Sequence, residues 1–204
     1  MLRLRSFLTT LFIGFFVLTS VVFAKPSNKE VSNFVTSLSN QVIEILKNNE
    51  NNLSGRQAGF EAIFQKAGNV PKIAQFVAGG AWKNASIDTQ KIYIDVYRQY
   101  MAYTYASRIT KYDNQQVKIG RVSDLGSNGF LVNTTLVTPN INNNMSVIWQ
   151  LSVIGDTLKV TDLRVENISM SLTQRAEFTA YLLVNNNDLG QLSNLLQTRL
   201  NSLK

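Results

Sequence analysis

The chain has 204 residues, with 20 Lys and Arg against 13 Asp and Glu, a formal charge of +7, and neither cysteine nor histidine. Lack of both residue types excludes the commonest zinc sites, Cys or His nucleophile and base pairs, every Ser-His-Asp triad, and a disulfide framework. The basic residues are scattered without a run or an aromatic-interleaved stripe, so the charge favours anionic surfaces and gives no nucleic-acid signature.

Met1, Leu2, Arg3, Leu4 and Arg5 open the chain, and an almost uncharged apolar run extends from Phe7 to Phe23. A basic start, an apolar middle and Val22-Phe23-Ala24 before the polar Lys25-Pro26-Ser27-Asn28 form a secretory signal peptide, residues 1–24, with cleavage after Ala24. An uncleaved anchor is the alternative, since the run is at the lower limit for spanning a bilayer. Cleavage removes Arg3 and Arg5, leaving 18 basic and 13 acidic side chains, or +5. The remaining 180 residues suit one domain with a substantial core.

Val31, Phe34, Val35, Leu38, Val42, Ile45 and Leu46 fall at 3-4-3 spacing and predict an amphipathic helix ended by Asn48 to Asn52. A second helix starts at Ser54, a good N-cap residue, and carries Phe60, Ile63 and Phe64. A third follows Gly68 and Pro71 with Ile73, Ala74, Phe76 and Val77. Gly79-Gly80 breaks it, Trp82 follows, and Ser86 or Asp88 caps a long helix from about Ile87 to Ile109. Tyr93, Tyr97, Tyr100 and Tyr105, with Val96 and Met101, cannot share one narrow stripe of that helix. At least two of its faces meet apolar surroundings, either a packed core or a ligand cavity.

After Asp113-Asn114 the period becomes alternating. Val117–Val122, Gly129–Val137, Met145–Ile154 and Leu158–Val165 read as four strands, the last two a hairpin about Gly155-Asp156. Met145, Val147, Trp149 and Leu151 share an apolar face of the third strand, and Ser146, Ile148, Gln150 and Ser152 share a mixed one. Ser171 or Thr173 starts a helix through Phe178, Tyr181, Leu182 and Leu183, stopped by Asn185-Asn186-Asn187. A last amphipathic stretch carries Leu189, Leu192, Leu195, Leu196 and Leu200. Helices, a four-strand antiparallel meander and helices again make an α+β single domain.

Three stretches in order resemble the MlaC family, also called toluene-tolerance or auxiliary organic-solvent transport proteins. The first runs from Ile73-Ala74 through Gly79-Gly80 and Trp82 to Ala85-Ser86; the second is Tyr105-Ala106, Arg108, Tyr112 and Val117. The third is Asp162 to Met170 followed by Gln174-Arg175-Ala176-Glu177-Phe178. Here Asn167 stands where the family usually has Gly, and Asn tolerates the left-handed backbone that such a turn requires.

The resemblance implies a domain over residues 25–204 in which helices and a curved, mainly antiparallel sheet of about four strands enclose an apolar cavity for a phospholipid. It implies a periplasmic carrier that needs no cofactor, is not an enzyme, and maintains outer-membrane lipid asymmetry. Its partners would be an outer-membrane lipoprotein and porin complex and the MCE-type substrate-binding subunit of an inner-membrane ABC transporter. For the lipid-binding wall we expect Met145, Val147, Trp149 and Leu151 on the third strand and Val132 on the second. From the helices we expect Phe76, Tyr97, Tyr100, Met101 and Tyr105.

Two other readings compete. Asp162 and Glu166, four apart, could serve a hydrolase or isomerase on a similar α+β cone-like fold, against structural roles as a turn cap or as partners of Lys159, Arg164 or Arg175. A surface adhesion or structural protein would carry no stoichiometric ligand. The leader itself is open to test: N-terminal sequencing of the exported protein is expected to begin at Lys25, and a sequence beginning at Met1 would contradict the signal-peptide reading.

Overall fold

Six of the seven α-helices among the described residues begin where a short polar side chain takes up free N–H groups of the first turn. In the computed structural model, which describes residues 25–109, 114–139 and 144–203, α1 (Asn28–Asn48) opens on a capping box. Ser27 Oγ accepts from Glu30 N, and the Glu30 carboxylate accepts from Ser27 N at 2.7 Å, which holds that carboxyl below its usual range. Helix α2 (Leu53–Ala67) is capped by Asn52, two residues before the expected Ser54. Asn69 caps α3 (Val70–Ala78), with Pro71 in the first turn. Gly79, at φ 58°, separates it from a short α4 (Gly80–Asn84) that the sequence reading left as a connection. Ser86 rather than Asp88 caps α5 (Ile87–Arg108).

The meander follows: β1 (Gln116–Asp124), β2 (Phe130–Val137), β3 (Met145–Ile154) and β4 (Thr157–Val165), antiparallel neighbours in chain order. A two-residue β5 (Ile168–Ser169), absent from the sequence reading, pairs with the end of β4. Between them Glu166 and Asn167 have φ of 50° and 66°, the left-handed pair of a tight hairpin turn, so Asn167 does the work expected of the family's glycine. Gly129, at φ 94°, stands so close to Leu151 that a Cβ would overlap the Leu151 carbonyl. Ser169 caps α6 (Met170–Val184), two residues ahead of the earlier of the expected caps, and Asp188 caps α7 (Leu189–Ser202). The signal peptide with its Ala24 cleavage point, Tyr112, Asp113 and residues 140–143 of the Asn-rich connection lie outside the described residues.

Burial divides the apolar residues among separate cores. Tyr93 and Tyr97 of α5 pack with Phe178 and Leu182 of α6 and Leu192 and Leu196 of α7. Ring centroids run 6.5 Å from Trp82 to Tyr93, 5.8 Å to Tyr97 and 6.3 Å to Phe178, distances at which aromatic pairs attract. At one end of the sheet, Val31 and Val35 of α1 bury Phe130, Val132 and Leu151. Lys25 reinforces that end: its ammonium pairs with Asp124, donates to Gly126 O at 2.9 Å and lies 4.9 Å from the centre of the Phe130 ring. The pairing pulls the Asp124 carboxyl below its ordinary value.

A buried cation ties the opposite helix ends together. Arg56 of α2 is 6% exposed and donates from Nη1 to Asn49 O at 2.8 Å and Glu50 O at 2.7 Å, and from Nε to Ala106 O at 3.1 Å. These acceptors sit just past the end of α1 and in the last turn of α5, where carbonyls lack helical donors and the dipole favours positive charge. We expect Arg56→Ala to lower unfolding free energy by about 3 kcal/mol in chemical denaturation, because three carbonyls lose a charged donor in a buried site. A loss under about 1 kcal/mol would show that the ends are held by packing alone.

Candidate functional site

The inner face of the sheet is built from cross-strand rows, because alternate residues share a face and antiparallel register sets them side by side. Val117, Leu136 and Met145 form one row; Thr134, Val147 and Val165 the next; Trp149 and Leu163 the third. Along β3 exposure falls from 40% at Met145 to 8% at Trp149 and 0% at Leu151. The space above this face is thus open at the Met145 end and closed where Val31 and Val35 cover Phe130 and Leu151.

That space is a cavity of about 340 Å³ roofed by α1 and α2. Val42, Ile43 and Leu46 contribute from α1, Phe60, Ile63 and Phe64 from α2, and Tyr105 and Ile109 from the end of α5. No charged side chain lines it among the described residues. Its polar atoms are few. The Trp149 indole donates to Thr134 Oγ1 at 3.1 Å, and that hydroxyl donates to Val147 O at 2.8 Å, so the floor presents mainly carbon. Burial pushes the Tyr105 phenol above its ordinary range, so it stays neutral at physiological pH.

The expected wall residues separate accordingly. Tyr105, Met145, Val147 and Trp149 line the cavity, and Tyr97 and Met101 line a smaller chamber beside it. Tyr100 lies instead in the helical core, while Val132 and Leu151 are on the right face of the sheet but sealed beneath α1. Phe76 is outside altogether, exposed on α3 under Arg175, whose guanidinium lies 4.7 Å from the ring centre and donates to Phe76 O at 3.1 Å. The sequence reading named Val42, Leu46, Phe60, Ile63 and Phe64 only as apolar helix positions and not as wall.

Asp162 and Glu166 do not form a carboxylate pair. Asp162 accepts from Ser169 Oγ at 2.6 Å and Ser171 N at 3.0 Å, while Ser169 Oγ accepts from Leu172 N at 3.1 Å. Together they cap α6 and pin it to β4. The Glu166 carboxylate accepts from Ser146 N at the end of β3. Arg164 Nε, at 3.9 Å, is too far from Asp162 to donate. No group of three or more His, Cys, Asp or Glu suited to a metal ion occurs among the described residues.

A family model described as MlaC protein matches residues 36–198. The chain belongs to the MlaC family. It is also similar in structure to a phospholipid-binding protein from Ralstonia solanacearum, solved in complex with a phospholipid, at 17% identity and a TM-score of 0.70. The likeness covers 84% of this chain and 97% of that one, and shows a shared fold. No curated protein matches the sequence. In this MlaC chain the third family stretch is a fastening: Asp162 and Ser169 cap α6, Gln174 accepts from the Tyr97 hydroxyl at 3.1 Å, and Phe178 fills the helical core.

Replacing Asp162 by Ala should therefore act on stability. It strips the acceptor from Ser171 N and from the Ser169 hydroxyl at a buried helix start, and a loss of about 2 kcal/mol is expected from denaturant titration. Unchanged stability would mean that Asp162 is not the fastening described.

Proposed function

We propose that this protein is a periplasmic phospholipid carrier, exported by its leader and functioning as residues 25–204, which moves lipid between an outer-membrane lipoprotein and porin complex and the MCE-type subunit of an inner-membrane ABC transporter. Its role is the upkeep of outer-membrane lipid asymmetry. The observation that carries the ligand is the cavity: apolar, free of charge on the described wall, and open at one end. The lipid seen in the similar Ralstonia protein supports the same ligand here, and family membership supports the two partner complexes.

The energetics suit the task. Burying a methylene is worth about 0.8 kcal/mol, so two chains of about fifteen methylenes represent on the order of 24 kcal/mol against release into water. A carrier needs an interior that replaces bilayer with carbon and asks the chains to solvate no charge. The headgroup would emerge beside Met145 and Ile109, where Arg108 is exposed and suited to a phosphate. Asp162 and Glu166, both engaged with backbone or capping groups, support a carrier over a hydrolase or isomerase.

Protein purified from its native periplasm should carry phospholipid near stoichiometric amounts and speed its transfer between vesicles. Recovery of no lipid, with transfer no faster than without protein, would sink the proposal. The wall is tested by Val147→Glu beside Ile148→Glu. Val147 faces the cavity between Thr134 and Val165, whereas Ile148 lies on the other face between Asn133 and Arg164. Val147→Glu is expected to lose lipid while remaining folded, since water reaching through the open mouth can solvate the new charge, and Ile148→Glu to keep its lipid. The opposite pattern in lipid content and thermal melting would place the ligand elsewhere.

A further inference from the structure

The apolar floor continues past the cavity wall. The row Thr134, Val147 and Val165 extends to Ile168, which pairs with Val165 across the β4–β5 hairpin and therefore points to the same face. Ile168 lies outside the wall and is 59% exposed. It stands on the edge strand of the sheet, at the end where Met145 is 40% exposed. Ile109, just past the last turn of α5, lines the same mouth and is 37% exposed. Three large apolar side chains, from β3, β5 and the end of α5, thus frame one opening and keep much of their surface in water. Single exposed apolar residues need no explanation, but a ring of them around an apolar opening marks a surface that meets something apolar.

Charge around the same opening is mainly positive. Lys47 follows the wall residue Leu46, Arg108 precedes Ile109, Lys118 follows Val117, and all three are exposed. No carboxylate pairs with any of them among the described residues, whereas Arg98 and Arg199 of the helical layer are paired with Glu61, Asp95 and Glu177. Of the acids at this end, Glu166 already accepts from Ser146 N, which leaves Glu50 beyond α1. Unpaired cations beside exposed apolar side chains match the headgroup layer of an anionic bilayer, which takes up both. An acidic protein face would match the cations and leave the ring of carbon uncovered. No helix among the described residues is long and apolar enough to cross a membrane, so the contact is with the surface.

We propose that the rim of Ile109, Met145 and Ile168, flanked by Lys47, Arg108 and Lys118, docks on the surface of an anionic bilayer, so that the cavity mouth opens onto the layer an acyl chain leaves. This rests on the reading of the cavity as a phospholipid site. Docked in this way, a chain passes from bilayer to wall without crossing water, which would cost free energy for every methylene exposed. The rim then gives the protein a direct exchange with membranes beside any exchange through protein partners.

The test uses the exported protein and unilamellar vesicles of phosphatidylglycerol or of phosphatidylcholine, read by flotation and by the phospholipid content of the recovered protein. Wild-type protein should float with phosphatidylglycerol vesicles, less with phosphatidylcholine, and lose the binding as salt screens the cations. Ile168→Asp, outside the wall, should weaken binding to phosphatidylglycerol vesicles about tenfold, because an apolar anchor is lost and a like charge added. Lys47→Glu combined with Lys118→Glu should weaken it at least as much. Both variants should keep the lipid they carry on purification and melt as the wild type does; if Ile168→Asp melts lower, the lysine variant, altered only at exposed side chains, decides. Unchanged vesicle binding in the lysine variant, or in a normally melting Ile168→Asp, overturns the proposal. Wild-type protein that holds lipid yet floats with neither vesicle overturns it as well, leaving delivery to protein partners alone. Protein that floats and never holds lipid overturns the carrier reading instead.

Discussion

The cavity depends on one constraint: the tyrosine-rich face of α5 is spent on other helices and not on the sheet. Tyr93 and Tyr97 are packed with α6 and α7, and α5 meets the main cavity at Tyr105 and Ile109, in and just past its last turn. The sheet's apolar inner face therefore has to be covered by something else. α1 covers one end through Val31 and Val35, and over the rest the roof stands clear. Close packing is the rule in protein interiors because a void forfeits dispersion contacts on one side. The elements around the cavity are fastened to one another, which holds them off the floor.

The fastenings are polar links, most of them buried, and their placement follows from helix ends. Carbonyls at a helix C-terminus and N–H groups at an N-terminus have no internal partner, so a buried end must find one elsewhere. Arg56 serves the ends of α1 and α5 at once, and Asp162 with Ser169 serves the start of α6. Arg175 closes the last turn of α3 through Phe76 O. Each link joins two elements at a place where apolar packing could not satisfy the backbone. Burying an Arg costs desolvation, which three carbonyl acceptors and favourable helix dipoles offset here. Rigidity around a cavity is what such a geometry supplies.

Much of this was legible in the sequence. Alternation located β1 to β4 within two residues at each end, since one covered sheet face imposes a period of two that no other element imitates. Helix starts are legible less well: the sequence points to Ser54, and to Ser171 or Thr173, where Asn52 and Ser169 do the capping, because several cap-competent residues lie close together and only the fold decides which one the chain enters at. The wall was half legible. Trp149 and Leu151 share a face by arithmetic, yet Leu151 is sealed by Val31, a residue 120 positions away, and no local period encodes that contact. Conversely Phe60, Ile63 and Phe64 obey the same 3-4 spacing whether they meet a core or a cavity. Phe76 lies outside the cavity because α3 buries Ala74 and Val77 instead, leaving the larger side chain exposed.

The features by which the family resemblance could be seen are mostly not those that would touch a ligand. Gly79 supplies a left-handed turn, Trp82 packs edge-on against Tyr93, Ser86 caps α5, and Asp162, Ser169 and Arg175 fasten α6. Each of these jobs demands a particular chemistry: a backbone without a Cβ, an oxygen at a fixed place, a planar donor. An acyl chain demands only carbon surface, which Val, Ile, Leu, Met and Phe all provide, and volume-conserving exchanges among them cost little. A fold of this kind can therefore keep its fastenings while its wall drifts. Ligand preference, on this argument, would lie in wall residues such as Val147 and Phe64, whose identities no motif singles out.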